Sequence, residues 1–470
     1  MDVIIRVNDA INNVVWGAPV LILLVGIGLL LTIRTGAMQF RHFGHAMKNT
    51  LGKVFDKSTS KKAKAGEMTP FQAMTTALAG TVGTGSIAGV TAAIALGGPG
   101  ALFWLWVAAL IGMVTKYGEV LLAVKYRERT EFGEWAGGPM YYIKNGLGAK
   151  WKWLAGFFCL AAALAALGTG NAVQVGNITS SINTVIRAFN PNFSGEATAN
   201  LIIGIVIAVL TAIVLFGGVQ RLGAVTEKLV PAMAVVYVVA CLAVVVVNIK
   251  NVPGVLGNIF SGAFSPAGAT GGAVGSMMMA LSWGIKRGVF SNEAGLGTAP
   301  MAHANTSETN PVKQGFYGVF EVFMASLIIC TLTGLSLLCS GIHINYGIMG
   351  NTALNVQALS TVFGMKGGAL IIAIGISLFA FSTVLSWALY GGRCCEFLLG
   401  SKAIRVYQVI YVLIVVVGAT MELDLAWNIA DTLNGLMIIP NLIGLFVLSG
   451  VIVRETKAYF ANLKEENKNP

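Results

Sequence analysis

Seven glycines lie in the twenty-one residues from Gly80 to Gly100, and none of these residues is charged. The segment belongs to a longer uncharged run, Phe71–Val114. Because glycine leaves the helical region of φ/ψ at little cost, the Gly-Thr-Gly sequence at Gly83–Gly85 can interrupt a helix. A break of this kind leaves carbonyl oxygens unpaired at the end of the first half-helix and amide N–H groups unpaired at the start of the second.

These two sets of backbone groups favour opposite charges. The amides of the restarting half-helix, Ser86–Val90, can bind a carboxylate at the positive end of the helix dipole, and Ser86 can serve as the N-cap. The carbonyls from Ala79 to Val82 can supply several oxygen ligands to a sodium ion. At membrane depth such groups are tolerated only where they line a cavity, and half-helix ends hold substrate and ion in many secondary transporters.

The composition indicates a multi-pass membrane protein. Apolar residues make up 56% of the chain, charged residues make up 11%, and the mean hydropathy is +0.75. A membrane span needs about 20 apolar residues, and Val14–Ile33 supplies the first such run. We predict eleven spans, at roughly 14–33, 68–97, 101–124, 154–187, 200–219, 229–249, 268–290, 316–342, 367–390, 403–420 and 425–453.

The charges alternate between the loops. Twenty-six of the thirty-one Lys and Arg residues lie in the loops after spans 1, 3, 5, 7 and 9, in the C-terminal tail, or at the adjoining span ends, as Lys286, Arg287 and Arg405 do. Since basic residues concentrate on the cytoplasmic side, this predicts an external N-terminus and a cytoplasmic C-terminus. The segment 34–55 also has the pattern of an interfacial amphipathic helix. The net charge of +11 therefore reflects topology and contact with the bilayer, so we expect no nucleic-acid partner.

The spans divide into two similar sets of five. Spans 2–6 occupy 67–248 and spans 7–11 occupy 268–453, after an N-terminal unit at 1–66 and before a cytoplasmic tail at 454–470. Because five is odd, the second set must enter the membrane from the opposite face, which predicts an inverted repeat. Span 7 is then the counterpart of span 2, and its glycines predict a second break near Ser282–Gly284.

Four motifs resemble the alanine or glycine:cation symporter family: TALAGTVGTGSIAGV at Thr76–Val90, GGPGALFWLW at Gly97–Trp106, AGGPMYYI at Ala136–Ile143 and WGIKRGVFSNEAGLGTAP at Trp283–Pro300. The resemblance extends in the same order from about Val14 to Arg454. It implies an all-α leucine-transporter fold with one extra N-terminal helix. It also implies uptake of small neutral amino acids such as alanine or glycine, driven by sodium or protons.

The resemblance and the expected break together assign the site residues. We expect the substrate to contact residues of spans 2, 4, 7 and 9, namely Thr84, Gly85, Ser86, Ile87, Gln174, Trp283 and Trp387. By similarity to the sodium site of the leucine-transporter fold, the expected sodium ligands are Ala79, Val82, Phe379, Ser382 and Thr383. The family usually has Asn at the position of Ser86, so this residue is expected to influence substrate preference.

Each side chain also has a purely structural interpretation. The Ser382 and Thr383 hydroxyls could bond to carbonyls of their own helix. Gln174 could link helices. Trp387 could be a packing aromatic rather than a wall that limits substrate size. Lys116 and Glu119 have the spacing of an ion pair within a helix; a structural pair is favoured over a proton relay. Glu293 is favoured as turn chemistry at the cytoplasmic mouth over a gate.

Two other function classes fit the sequence less well. Thr81–Gly85, TVGTG, resembles a potassium-channel filter, but such filters are built from four copies around an axis. No protease, lipase or phosphate-binding motif indicates a membrane enzyme. We therefore expect no cofactor, with sodium as the coupling ion and protons as the alternative, and no obligate protein partner. The expected location is a cell membrane, the inner membrane in a bacterium.

Overall fold

The computed structural model describes residues 2–54, 63–64, 66–265, 277–350, 352–421 and 423–466, and among these it describes no side chains for 2–5, 53–54 and 423–428. Within these ranges the chain is almost entirely helical, and a short hairpin of β1 (Glu128–Arg129) and β2 (Trp135–Ala136) is the one sheet. The prediction of an all-α fold is confirmed.

Twenty α-helices lie within the described residues. They are α1 Asp2–Val15, α2 Ala18–Arg34, α3 Met38–Arg41, α4 Phe43–Val54, α5 Pro70–Thr81, α6 Ala88–Gly97, α7 Ala101–Lys125, α8 Pro139–Tyr142, α9 Lys152–Leu167, α10 Val173–Phe189, α11 Glu196–Leu215, α12 Gly218–Val247, α13 Val252–Phe264, α14 Met277–Asn292, α15 Ala299–His303, α16 Pro311–Val322, α17 Thr331–Cys339, α18 Thr352–Leu399, α19 Ala403–Thr420 and α20 Leu423–Glu466.

Nine helical stretches of the described chain are long and apolar enough to cross a membrane, and the bent pair α5–α6 makes a tenth. Ten of the eleven predicted spans have a counterpart in this set. The remaining one, at 268–290, lies partly outside the described residues, and the part that is described, α14, has sixteen residues. The predicted amphipathic segment is helical as α3 and α4.

The first helix break lies where the glycines predict it. Helix α5 begins with a capping box between Thr69 and Gln72, follows it with Pro70, and ends at Thr81. Val82 then leaves the helical region with φ −87° and ψ 78°, and a single turn of 3-10 helix leads into α6. The axes of α5 and α6 differ by 62°, so the backbone changes direction at this point.

The predicted break at Ser282–Gly284 is wrong, because α14 runs unbroken to Asn292. Gly284 serves close packing: a Cβ atom there would lie 2.5 Å from the Ala101 carbonyl oxygen of α7. Small residues at helix contacts are a usual feature of membrane proteins. The second interruption comes after α14, at 293–298, where Glu293 has φ 53° and Gly295 has φ 92°, and it ends at the short helix α15.

A π-helical turn, Gly168–Ala172, joins α9 to α10 next to the first break. Helix α5 packs against α12, α15, α16 and α18, while α14 packs against α6 and α7. The two interruptions therefore lie in the middle of the helix bundle, surrounded by longer helices.

Candidate functional site

A small cavity lies between the two interruptions. The first interruption contributes Gly80, Thr81, Gly83 and Gly85, and the second contributes Glu293 and Leu296. The remaining wall comes from α10, α14, α18, α20 and the π-helical turn, through Gln174, Phe290, Thr383, Trp387, Asn434 and Thr169. A larger cavity lies elsewhere, near Arg393 and Arg405, and contains no residue of either interruption.

Four oxygen atoms converge at the edge of this cavity. The Thr383 hydroxyl lies 2.9 Å from the Ala79 carbonyl oxygen and 3.0 Å from that of Phe379. The Ser382 hydroxyl lies 3.3 Å and 2.8 Å from the same two oxygens. A hydroxyl has one hydrogen, so it can donate to only one carbonyl at a time. Bonding within α18 accounts for the Phe379 contacts but not for the approach of both hydroxyls to Ala79 of α5.

Val82 plays a different part from these four residues. It terminates α5, its amide donates to the Leu78 carbonyl at 2.7 Å, and its side chain packs in an apolar cluster. The structure thus brings together Ala79, Phe379, Ser382 and Thr383, and the only contribution that Val82 could make to a cation site is its backbone carbonyl.

Gly83 is packed directly against this group of oxygens. A Cβ atom on Gly83 would lie 2.7 Å from the Thr383 hydroxyl and 3.3 Å from Gln174 Oε1. We expect Gly83→Ala to push Thr383 away from Ala79 and to weaken sodium activation of transport roughly tenfold, the effect of about 1.4 kcal/mol of overpacking. Gly257→Ala on α13, where a Cβ atom would meet no atom within 4 Å, should leave sodium activation unchanged. Equal behaviour of the two variants would contradict the close contact at Gly83.

Gln174 joins the first break to the π-helical turn. Its Oε1 accepts from the Thr84 amide at 3.4 Å and the Thr84 hydroxyl at 3.2 Å, and its Nε2 donates to the Thr169 carbonyl at 3.0 Å. Gln174 therefore lies in the cavity wall and also links two elements, so both interpretations of this residue describe part of its role. Thr84 itself is fully buried behind Gln174.

Two aromatic side chains limit the size of the cavity. Trp387 is 1% exposed, and its Nε1 donates to the Gly80 carbonyl at 3.4 Å. A Cβ atom on Gly170 would lie 2.2 Å from Trp387 Cβ, and one on Gly85 would lie 2.9 Å from the Phe290 ring. Trp387 is thus both a cavity wall and a tightly packed aromatic. The sequence interpretation missed Phe290, which has no feature that separates it from other apolar residues of α14.

Four of the expected substrate contacts lie outside the cavity, Thr84 and the three that follow. The Ser86 hydroxyl lies 3.1 Å from that of Ser291, and the N-cap of α6 is Ile87, without a side-chain capping bond, so the N-cap prediction for Ser86 is wrong. Ile87 packs in an apolar cluster. Trp283 lies beside Lys286 and Arg287. Because α14 is unbroken at Trp283, this residue lies nearly three turns before the interruption, about 15 Å away along the helix axis.

The predicted pairing of Lys116 with Glu119 is also wrong. Lys116 Nζ lies 3.2 Å from Glu321 Oε1 of α16, and both side chains are fully buried. Glu321 also accepts from the Thr81 hydroxyl at 2.5 Å, and its Oε2 lies 3.0 Å from His303 Nε2. Glu119 accepts from the Gly295 amide and from Asn441. Residues 116 and 119 differ by about 60° around the helix, which is enough to direct them to different neighbours.

Glu321 was missed from the sequence although a signal was present. It is an acidic residue inside the apolar stretch predicted as the span 316–342, and such residues usually have a specific buried partner or a function. Glu293 was expected at the cytoplasmic mouth, but it is 4% exposed and lines the cavity. Its Oε2 accepts from the Thr298 hydroxyl at 2.6 Å.

An ion pair connects α14 with α20 at a distance from the cavity. Lys286 Nζ lies 3.6 Å from Asp431 Oδ2 and 5.3 Å from the Trp16 ring centre, and Trp16 Nε1 donates to the Asp431 carbonyl at 2.7 Å. Lys286 and Arg287 were counted above as cytoplasmic charges. Lys286 lies instead beside Trp16, just before α2, and beside the first part of α20, which the predicted topology places at the outer end.

The sequence model of the sodium:alanine symporter family matches residues 1–470, the whole chain. The chain belongs to this family. A sodium/alanine symporter, AgcS, from Methanococcus maripaludis is 45% identical over all of both chains. A probable sodium/glutamine symporter, GlnT, from Bacillus subtilis is 35% identical over 98% of this chain and 91% of its own. The chain is therefore a multi-pass, cation-coupled amino-acid transporter and not an enzyme.

The solved structure of MhsT in complex with L-phenylalanine covers 83% of this chain and 99% of its own, with a TM-score of 0.55 and 12% identity. A sodium-coupled sialic acid symporter covers 90% of this chain and 86% of its own, with a TM-score of 0.53 and 12% identity. At this identity the likeness shows the fold, which is that of the leucine transporter. The 5+5 inverted repeat and the division of the chain into units remain predictions.

Proposed function

We propose that the chain is a sodium-coupled symporter that imports a small neutral amino acid, alanine or glycine, by alternating access. The observation that carries this proposal is the convergence of the Ser382 and Thr383 hydroxyls on the Ala79 and Phe379 carbonyls. Sodium needs several oxygen ligands and no formal charge, and this group of atoms supplies four. The relative from Methanococcus, named a sodium/alanine symporter, supports the same conclusion.

The geometry of the cavity supports a small substrate. The zwitterion's carboxylate would meet the backbone at Gly83 and Gly85, which line the cavity at the turn leading into α6, on the side of the positive end of that helix dipole. Trp387 and Phe290 close the cavity on two sides, which leaves room for a short side chain. The Thr383 hydroxyl borders both the cavity and the four oxygens, so sodium bound there would stabilise the wall that holds the amino acid. This contact is the proposed physical basis of coupling.

The proposal is tested with the purified protein in vesicles. With an imposed inward sodium gradient and no other driving force, labelled alanine should accumulate above its external concentration, and replacing sodium by potassium should abolish accumulation. The panel includes glycine, alanine and glutamine, because the Bacillus relative is named for glutamine. Proton-driven accumulation without sodium would overturn the choice of ion, and a preference for glutamine would overturn the choice of substrate.

We also propose that the N-terminus is external and the C-terminus cytoplasmic, in a cell membrane. His343, in the exposed loop after α17, should then be external, and Lys150, exposed before α9, should be cytoplasmic. An impermeant maleimide added to intact cells should label a His343→Cys variant and not a Lys150→Cys variant. Five of the six native cysteines are buried, so their background is low. Labelling of both variants, or of Lys150→Cys alone, would contradict this orientation.

A further inference from the structure

We propose that the Glu293 carboxylate binds the ammonium group of the substrate amino acid. The inference rests on the proposed function, because it assumes that the cargo is an α-amino acid. It gives the two breaks complementary tasks: the amides of the first bind the carboxylate of the zwitterion, and a side chain of the second binds its positive end.

The backbone of the second interruption presents Glu293 to the cavity. The residue follows the last residue of α14, and its φ of 53° lies in the left-handed region that non-glycine residues seldom adopt. Such a conformation persists where the surrounding structure imposes it, often at a binding site. The side chain is 4% exposed and lines the same cavity as Gly83 and Gly85.

No cation of the described chain neutralises this carboxylate at ion-pair distance. The positive charge of Lys116 acts on Glu293 electrostatically, but Lys116 forms its ion pair with Glu321, at 3.2 Å. Glu321 also contacts His303. The side-chain hydrogen bonds of Glu293 come from two neutral groups, the Thr298 hydroxyl and the Trp387 indole. Since burying a carboxylate without a partner is unfavourable, a cation entering the cavity would be stabilised there.

The other buried acidic residues near the cavity also contact neutral groups or the same lysine, and they provide no cation for Glu293. Glu119 of α7 accepts from the Gly295 amide and from Asn441, both neutral. Lys116 acts electrostatically on three buried carboxyl groups, those of Glu119, Glu293 and Glu321, but it forms an ion pair with Glu321. Of the three, Glu293 lines the cavity, so an incoming positive group meets this one first.

An ammonium group fits this position better than the coupling ion does. Sodium has a set of four uncharged oxygens around Thr383, to which Glu293 contributes no atom. An ammonium group carries hydrogen-bond donors that a carboxylate can accept at short distance. In an α-amino acid the ammonium and carboxylate groups are one carbon atom apart, so both must be bound within one small cavity.

The test compares alanine with lactate, which has a hydroxyl in place of the ammonium group. Binding to purified protein is measured at saturating sodium, by competition with labelled alanine. Glu293→Gln keeps the shape and an oxygen that can accept from Thr298, but removes the charge. We expect alanine to bind at least tenfold more weakly to this variant, lactate affinity to change less than threefold, and the ratio of the two affinities to fall accordingly.

A matched variant separates charge recognition from damage to the cavity. Gln174→Leu alters another wall residue without changing a charge, so it should weaken alanine and lactate by similar factors. Glu293→Asp keeps the charge and should keep the preference for alanine over lactate. Stabilisation of the protein by sodium alone, measured by thermal melting, should be the same in Glu293→Gln as in the wild type.

Three results would overturn the inference. The first is an unchanged ratio of alanine to lactate affinity in Glu293→Gln. The second is wild-type alanine affinity in that variant. The third is a loss of pH-dependent transport in that variant with alanine affinity retained, which would make Glu293 a proton carrier. If Glu293→Gln does not fold, the ratio measured for Glu293→Asp decides, because loss of the preference there contradicts charge recognition. Failure of the wild type to accumulate alanine on a sodium gradient would instead contradict the proposed function.

Discussion

Replacing Thr383 with alanine is expected to raise the sodium concentration for half-maximal alanine uptake by about tenfold or more. The change removes one of four oxygens that converge between α5 and α18. Hydrogen bonds and contacts to charged groups contribute about 1.5–3 kcal/mol, and each 1.4 kcal/mol is roughly a factor of ten in affinity. The cavity residues of the two breaks are untouched, so alanine affinity at saturating sodium should change much less.

Thr361→Ala is the matched control for this prediction. Thr361 lies in the part of α18 before the kink at Gly364, where φ is 72°, and its hydroxyl donates at 2.7 Å to the carbonyl of Ala358, one turn earlier. The Thr361→Ala variant should therefore lose one hydrogen bond within its own helix, and its sodium activation should not change. If well-folded Thr383→Ala shows wild-type sodium activation, the Thr383 hydroxyl serves its own helix and the proposed cation site is misplaced.

The second large effect is expected at the buried pair of Lys116 and Glu321. Removing one partner of a buried ion pair leaves the other charge without compensation, at a cost of about 3–5 kcal/mol. Lys116→Met should therefore lower the melting temperature of the purified protein by several degrees. The double variant Lys116→Met/Glu321→Leu should recover part of the loss, because it removes both charges. Thr81 and His303 would lose the acceptor that they now contact, which limits the recovery.

Lys125 provides a control on the same helix. Its Nζ lies 2.9 Å from Glu455 Oε1, but the two side chains are 28% and 26% exposed. A pair of this kind contributes about 0–1 kcal/mol, so Lys125→Met should have little effect on melting. If Lys125→Met and Lys116→Met lower the melting temperature equally, burial of the Lys116 pair is not what makes it important.

The first break could be predicted from sequence because its cause is local. The segment Gly83–Gly85 separates α5 from α6, because glycine adopts non-helical backbone angles at little cost. The glycines of α14 gave a false signal for the second break, because Gly284 and Gly288 allow α14 to pack closely on α7. The difference between a glycine that bends a helix and one that admits a neighbour depends on a helix distant in sequence, so the local pattern does not contain it.

The buried pairs were unpredictable for a similar reason. The spacing of Lys116 and Glu119 indicated a local pair, yet the partner of Lys116 lies 205 residues away on α16. Trp283 was placed in the site only because the break was expected there. The position of Glu293 followed from the same error, since moving the break to 293–298 brings this residue from the expected mouth into the cavity.

The two interruptions also affect how this protein can evolve. Peptide groups are present whatever the side chain, so point mutation cannot delete the backbone carbonyls of a chain break and removes an amide hydrogen only by introducing proline, although it can alter the walls around them. A family that shares these breaks could diversify its cargo by exchanging wall residues such as Trp387 and Phe290. Relatives at 35% and 45% identity, named for glutamine and for alanine, are consistent with such divergence. Random mutagenesis should accordingly yield altered substrate range more readily at wall positions than at the breaks.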